Sequence, residues 1–159
     1  MSEVYLGNPN LKKANTAIEF TQEQVLEFVK CKEDPVYFAN NYIKIVSLDE
    51  GLTQFHPYDF QEKLIHNFHE NRFNICKMPR QTGKSTTVVS YLLHYAVFND
   101  SVNIGILANK AATARELLSR LQTAYENLPK WMQQGIISWN KGSLELENGS
   151  KILAASTSA

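Results

Sequence analysis

The sequence lacks the features by which secreted and membrane proteins are recognised. Its two cysteines, Cys31 and Cys76, are far apart and form no C-x-x-C pair, so nothing indicates a disulfide framework, and a reducing, cytosolic setting fits. No apolar run reaches the roughly 18 residues of a membrane span. The N-terminus also carries no apolar signal segment. These absences argue against secretion and against insertion into a membrane.

An excess of charge is also lacking, because 16 basic residues balance 16 acidic ones. Such a balance creates no overall field that would draw the chain to nucleic acid or to a membrane surface, but it leaves room for a local basic patch. The 159 residues are 43% hydrophobic and 20% charged, with no internal repeat and no low-complexity tract. Length and composition therefore predict one globular domain with its own core.

The most informative stretch is the run Met78-Pro79-Arg80-Gln81-Thr82-Gly83-Lys84-Ser85. Its Gly-Lys-Ser ending is that of a Walker A loop. Gly83 lets the backbone approach a phosphate, Lys84 brings a positive charge toward the β/γ-phosphates, and Ser85 offers a hydroxyl to Mg²⁺. An apolar segment of strand length, 73–77, precedes the loop, and a helix-like apolar repeat, 86–98, follows it. Strand–loop–helix is the setting that this motif requires, so we predict an ATP and Mg²⁺ site here.

The front of the loop departs from the usual pattern. Met78 stands where a glycine is common, and Pro79 has no N–H group to give to an anion. A phosphate nest must therefore be built from later backbone amides, which are those of Gln81, Thr82, Gly83, Lys84, Ser85 and Thr86. Arg80 is either a solvated loop residue or a phosphate ligand, and we favour the second because its planar fork suits an anion's oxygens.

The order of elements from the loop onward predicts an α/β fold. Apolar strands at 73–77 and 102–107 are each followed by a helix, and this order predicts a parallel sheet with right-handed crossovers. Asn109 is the predicted cap of the second helix, which carries an apolar stripe from Ala114 to Leu128 and ends before Pro129. Cys76 is predicted to be a buried small hydrophobe on the first strand.

Three shorter strands are predicted near the end of the chain, at 136–139, 144–146 and 151–155. The tetrapeptide Glu147-Asn148-Gly149-Ser150 predicts a hairpin between the last two. Glu145 and Glu147 alternate with leucines, as residues on the outward face of a strand do.

The chain before the loop is predicted to be mostly helical. Residues 1–18 form a loose arm, and residues 19–159 belong to the domain that contains the loop. A capping box at Thr21 opens one helix, Pro35 opens a second, and a third follows Pro57. The third helix buries the stripe Phe60, Leu64, Ile65 and Phe68, with Gln61 at its edge.

An acidic pair is missing where an ATP-hydrolysing enzyme would carry one. Such an enzyme uses acidic side chains on a strand near the loop to hold Mg²⁺ and to orient water, and no apolar run after residue 85 ends in such a pair. The pairs Glu33-Asp34 and Asp49-Glu50 precede the loop and are predicted to be solvated. We therefore expect a domain that is truncated before its Walker B segment, and a chain that binds ATP without hydrolysing it.

With arginine at its third position and no leading glycine, the run 78–85 resembles the deviant Walker A motif of large terminase subunits. These are the genome-packaging ATPases of tailed phages, and the T-even group is the most similar. Further blocks that fit this family lie at 5–15, 37–39, 105–110, 139–143 and 146–150. The resemblance runs along almost the whole chain, and it implies a P-loop NTPase fold of the ASCE type.

The resemblance implies a motor whose ATP hydrolysis drives double-stranded DNA through a portal protein into the prohead, in the host cytoplasm. It implies that Lys84 and Ser85 bind phosphate and Mg²⁺, that Arg80 acts in cis on the γ-phosphate, and that Phe60 and Gln61 belong to the adenine-recognition segment. His56 stands where a second adenine-reading glutamine is expected. A small terminase subunit as partner and a homo-oligomeric ring of full-length chains are also implied.

Two other functions stay open on the residues alone. One is a fragment of a superfamily 2 helicase, which shares a glutamine ahead of the loop, and the other is a catalytically silent nucleotide-binding truncation product. Single residues have alternatives too. Tyr58 and Phe60 are candidates to flank an adenine ring, and core packing suits Phe60 equally well. Lys110 and Arg115 fit a solvated helix face better than a DNA contact.

Overall fold

The computed structural model, which describes residues 3–158, combines helices and strands and confirms the α/β class. A short 3₁₀ turn at Tyr5–Gly7 comes first. The helices are α1 Gln22–Glu33, α2 Pro35–Tyr42, α3 Asp59–Glu70, α4 Lys84–Phe98 and α5 Ala111–Glu126. The strands are β1 Lys44–Ser47, β2 Gly51–Gln54, β3 Asn103–Ala108, β4 Ile136–Trp139, β5 Ser143–Leu146 and β6 Lys151–Ser156. None of the helices in the described part of the chain is long and apolar enough to cross a membrane.

The strands form two separate sheets. β1 and β2 make an antiparallel hairpin, whereas the larger sheet has the order β3-β6-β5-β4. Within it β3 and β6 are parallel, and β5 runs antiparallel to both of its neighbours. The predicted hairpin between β5 and β6 is confirmed, with Gly149 at φ +83°. The sheet is mixed, whereas we had predicted a parallel one. A tight turn such as the one between β5 and β6 can join only antiparallel strands.

Our prediction of a strand at 73–77 is wrong. The segment carries no strand pairing, and Phe73 and Ile75 are 83% and 100% exposed. Cys76, predicted to be buried, is only half-buried. A cavity of about 830 Å³ lies between Cys76 and residues Asn103 and Ile104 of β3. Because paired strands lie about 4.8 Å apart, this gap leaves the segment without a neighbour.

Helix α4 is the centre of the core. Helices α2 and α3 pack against it on one side, and α5 packs between α4 and the larger sheet. The apolar stripe predicted for α5 is confirmed, since Ala114, Leu118, Leu121 and Tyr125 are completely buried. Burial of a large apolar side chain stabilises a fold by about 1.5–3 kcal/mol, so this layer of contacts fixes α4 relative to the sheet.

A buried histidine ties α4 to α1. Nε2 of His94 lies 2.8 Å from the carbonyl oxygen of Cys31, and the ring packs against Phe38 and Phe98. Burial lowers the pKa of His94 to about 4, so the imidazole is neutral near pH 7. Because a carbonyl only accepts hydrogen bonds, Nε2 is the protonated nitrogen. The bond orients the second half of α4.

The helix starts and the first hairpin were predicted with mixed success. The capping box at Thr21 is confirmed, as is the helix that Pro35 opens. The predicted cap at Asn109 is wrong, since α5 begins after Lys110 without a side-chain cap. The sequence at 44–46 fits a short strand or an extended loop equally well, and the structure places these residues in β1. The segment 52–58 indicates a loop that leads into α3, but its first residues belong to β2.

The N-terminal arm is not the loose segment that we predicted. Leu11 is 1% exposed, and the backbone N–H of Lys12 donates to Oε1 of Gln133 at 3.0 Å. The carboxylate of Glu147 accepts from the N–H groups of Asn15 and Gly135, both at 2.8 Å, and lies 3.3 Å from Nζ of Lys12. Glu147 is therefore an anchor for the arm and not the outward-facing strand residue that its alternation predicted.

The environment of Glu147 favours its charged form. Burial alone would raise the pKa of this carboxyl, but the hydrogen bonds from Asn15 and Gly135 and the charge of Lys12 outweigh it and lower the pKa. A lowered carboxyl pKa means that folding is stabilised above the ordinary glutamate value of about 4.3, and that this stabilisation is lost as the pH falls through the lower native value.

Replacement of Glu147 by Gln should reduce the free energy of unfolding by about 1–2 kcal/mol at pH 7, because one ionic partner and one acceptor oxygen are lost. Thermal unfolding measures this loss, and the difference from the parent should shrink as the pH is lowered. Glu145→Gln is the matched control, since the Glu145–Lys151 pair is more exposed and should matter by only a few tenths of a kcal/mol. Equal losses in the two variants would contradict the anchoring role of Glu147.

Candidate functional site

The 78–85 loop leads directly into α4 and has two residues in the left-handed region of backbone space. Gln81 has φ +61° and Gly83 has φ +70°. A glutamine rarely adopts this conformation, whereas a glycine does so without steric cost. Left-handed residues in a loop turn neighbouring N–H groups toward one side, and such concavities bind anions.

A buried glutamine, Gln61, holds the 78–85 loop in place by a hydrogen bond. Gln61 of α3 is 3% exposed; its Nε2 donates to the carbonyl oxygen of Thr82 at 3.3 Å, and its Oε1 accepts from the N–H of Tyr58 at 2.9 Å. Thr82 is held further by a 3.0 Å bond from its hydroxyl to the carbonyl of Pro79. A Cβ atom at position 83 would overlap Nε2 of Gln61. Glycine at 83 suits the positive φ angle, and a side chain there would displace the amide of Gln61 from its place beneath the loop.

The first turn of α4 is open at its N-terminus. Gly83 is the N-cap residue and has no side chain with which to cap the helix. The first N–H groups of an α-helix have no intrahelical partner, and the helix dipole adds partial positive charge at this end. The carbonyl of Gly83 is already used, because it accepts from both the N–H and the hydroxyl of Thr87. The first turn therefore presents backbone N–H donors, and the carbonyl of Gly83 is not free to compete with an anion for them.

A cavity of about 440 Å³ lies over this turn. It is lined by Pro79, Arg80, Gln81, Thr82, Gly83, Lys84, Ser85, Thr86 and Arg120. Its three charged lining residues, Arg80, Lys84 and Arg120, are all basic. Convergent cations beside free backbone N–H groups attract anions with several oxygens, of which phosphates are the commonest in proteins.

The predicted site residues separate into two groups. The six residues at 81–86 and Arg80 come together around the cavity. Gln61 lies beneath the loop, and Phe60 lies outside the cavity lining, where its ring stacks on that of Tyr58 at 5.9 Å between centroids. Tyr58 and Phe60 are 69% and 45% exposed, so neither is a core residue.

The remaining charged candidates lie elsewhere. Lys110 and Arg115 are exposed on α5, away from the cavity lining. Asp34 caps α2 through the N–H groups of Val36 and Tyr37, and Asp49 lies in the turn between β1 and β2. Within residues 3–158 no three His, Cys, Asp or Glu side chains are grouped closely enough to hold a metal ion.

Arg120 borders the cavity although no sequence motif marks it as a site residue. This residue lies on α5, far from the loop in sequence, and it reaches the cavity because α5 packs along α4. The spacing of Glu116 and Arg120, four positions apart on one helix face, was a visible sign of an ion pair. It did not indicate which cavity that face borders, because only the packing of α5 on α4 determines this.

A comparison with protein families identifies a match over more than half of the chain. The family model described as "Terminase large subunit, T4likevirus-type, N-terminal" matches residues 75–159. The matched region contains the loop, α4, Arg120 and the whole of the larger sheet, whereas Gln61 and the stacked pair of rings lie before it. The chain belongs to the family of T4-like terminase large subunits, and its residues 75–159 match the N-terminal part of such a subunit.

Proposed function

We propose that this chain supplies the ATP-binding site of a phage DNA-packaging motor. The observation that carries the proposal is the cavity over the 78–85 loop, where the open first turn of α4 meets three basic side chains. Membership of the terminase family gives this anion site its context. Together they favour a packaging ATPase over a helicase fragment.

The residues around the cavity fit a nucleotide's phosphates and their Mg²⁺ ion. The backbone N–H groups of Gln81, Thr82, Gly83, Lys84, Ser85 and Thr86 would hold the phosphate oxygens, as in other P-loop NTPases. Lys84 would contribute the point charge on the β/γ-phosphates, and the hydroxyl of Ser85 is the candidate Mg²⁺ ligand. The metal, when bound, neutralises charge on the phosphates.

Arg80 is proposed as the residue that stabilises charge on the γ-phosphate. It lies in the cavity lining on the same loop as Lys84, and it is exposed in the described structure, so it is free to turn toward a bound anion. The planar guanidinium donates two parallel hydrogen bonds, which suits two oxygens of one phosphate. Arg80 and Lys84 are thus the proposed catalytic residues of this segment.

The base is proposed to bind near the start of α3. Tyr58 and Phe60 stack with 12° between their ring planes and remain partly exposed, so they offer a flat apolar surface to an adenine ring. Gln61 follows them and bonds to the loop through Thr82. In this proposal Gln61 links the base segment to the phosphate segment as well as belonging to the adenine site.

The domain is proposed to be completed by further parallel strands between residues 73–77 and β3. Asn74 and Cys76 border the 830 Å³ gap on one side and the edge strand β3 borders it on the other, and among the described residues neither segment has a strand partner there. An ASCE-type P-loop NTPase sheet for the complete domain, with residues 19–159 as its first portion, follows from this proposal.

The partners are proposed from the family alone. A terminase large subunit would act on double-stranded DNA, together with a portal protein and a small terminase subunit, as a ring of identical chains in the host cytoplasm at the prohead. No residue described here is assigned to any of these contacts. Translocation of DNA driven by ATP is the corresponding proposed activity of the whole subunit.

Replacement of Lys84 by Ala should weaken ATP binding by about 10- to 100-fold, because a charge-assisted contact of roughly 1.5–3 kcal/mol is lost. Titration calorimetry with Mg-ATP measures the affinity, and circular dichroism checks that the variant is folded. Lys110→Ala is the control, since Lys110 is exposed and lies outside the cavity. Equal ATP affinity in the parent and in folded Lys84→Ala would refute the site.

Arg80 should matter for turnover and hardly at all for folding. In a terminase large subunit that contains this chain together with Walker B and nuclease segments, Arg80→Ala should lower the rate of ATP hydrolysis by about 10³-fold or more. The melting temperature should stay unchanged, because the side chain is exposed. Steady-state ATPase assays measure this, with Arg72→Ala as the control. A variant that keeps most of the parent's activity would make Arg80 a solvated loop residue.

The 159-residue chain should bind ATP but hydrolyse it more slowly than about 1 s⁻¹, the lower end of ordinary turnover numbers. The reason is that none of the described residues lining the cavity carries a carboxylate that could orient water or hold Mg²⁺. A phosphate-release assay on the purified chain tests this. A rate above that value that disappears in Lys84→Ala would mean that a catalytic carboxylate within this chain reaches the site.

A further inference from the structure

One residue of the loop cavity comes from outside the loop segment. Arg120 belongs to α5, whereas every other residue that lines the cavity lies in the single segment 79–86. Its Nη2 contacts Oε1 of Glu116 at 2.6 Å, and both side chains are at least half exposed. Arg120 thus borders the cavity of Arg80 and Lys84 while it is paired with a carboxylate on its own helix.

Building on the nucleotide site proposed above, we propose that Arg120 is a phosphate-contacting residue that exchanges Glu116 for the terminal phosphate of ATP. Helix α5 would in this way distinguish the triphosphate from the diphosphate. The proposal rests on the position of Arg120, on the weakness of its present ion pair and on the charge of the cavity.

The position of Arg120 allows the exchange. A second cavity, of about 580 Å³, lies between α4, α5 and β1, and Arg120 and Thr86 line both cavities. Glu116 borders the second cavity only. Arg120 therefore lies at the junction of the two cavities, with open space toward Glu116 and toward the loop. A rotation about side-chain torsions can carry it from one to the other.

The present ion pair is too weak to prevent this movement. An exposed pair four residues apart on a helix changes an equilibrium by only about two-fold. A charge-assisted contact between a guanidinium and a phosphate is worth about 10- to 100-fold. A phosphate within reach should therefore displace the carboxylate of Glu116.

The geometry favours the terminal phosphate as the new partner. The amides of the first turn of α4 and the Lys84 side chain hold the phosphates that lie against the loop. A cation that enters from another element meets the part of the phosphate chain that projects away from the loop. The cavity also places Arg120 with Arg80 and Lys84, and a triphosphate compensates three converging cations better than a diphosphate does.

Calorimetric titrations of the 159-residue chain with Mg-ATP and with Mg-ADP test the proposal. Arg120→Ala should weaken ATP binding by about ten-fold and ADP binding by less than about two-fold. Arg115→Ala, the matched control on the exposed part of the same helix, should change neither affinity. Glu116→Gln should strengthen ATP binding by about two-fold, because it releases Arg120 from its competing partner.

The outcomes separate this inference from the nucleotide site itself. If the parent chain binds neither nucleotide, both proposals are overturned. If the parent binds both nucleotides and Arg120→Ala keeps the parent's affinities, or loses affinity for ATP and ADP equally, only the role of Arg120 is overturned. Arg120→Gln, which keeps the methylene stem and a polar end but removes the charge, should give the same selective loss, so the test holds even where the alanine variant does not fold.

Discussion

The structure depends on a helix that is buried along most of its length and open at its first turn. Helix α4 packs against α2, α3 and α5, and His94 bonds its second half to the carbonyl of Cys31. These contacts leave α4 little freedom to shift. The N–H groups at its start are consequently held at one place, and Gln61 holds the preceding loop there through Thr82. An anion site needs this fixed geometry because its donors must already converge before the ligand arrives.

The electrostatics of the site are local and are not visible in the totals. The chain has equal numbers of acidic and basic residues, yet the charged side chains that line the loop cavity are all basic. Acidic residues have structural roles in other parts of the fold, such as the cap formed by Asp34 on α2 and the anchor formed by Glu147 for the N-terminal arm. Such segregation suits the proposed polyanion site, and hydrolysis at that site would depend on carboxylates outside the cavity lining.

Much of the fold could be predicted from local sequence patterns. Apolar stripes located α4 and α5, the capping box at Thr21 located α1, and the Asn-Gly turn located the β5–β6 hairpin. What failed depended on partners distant in sequence. Residues 73–77 have the composition of a strand but no neighbour to pair with, and Glu147 alternates like a surface residue although it binds the arm.

The site was predictable to the extent that it is contiguous. Residues 81–86 and Arg80 were found from the motif, and the cavity brings them together. The sequence placed Gln61 in the adenine-recognition segment. It did not indicate the buried hydrogen bond from Gln61 to Thr82, because that bond depends on how α3 packs against the loop. Arg120 reaches the cavity only through the packing of α5 along α4. No local pattern in the sequence encodes the relative placement of two helices.

The central claim is that backbone amides around Gly83 bind the phosphates of a nucleotide. Amide chemical shifts of the ¹⁵N-labelled chain, recorded by NMR before and after addition of Mg-ATP and of inorganic tripolyphosphate, test it most directly. The account predicts that both ligands shift the amides of residues 81–86 most strongly, and that only ATP also shifts those at Tyr58 and Phe60. Unchanged amides at 81–86, or largest shifts in another part of the chain, would contradict it.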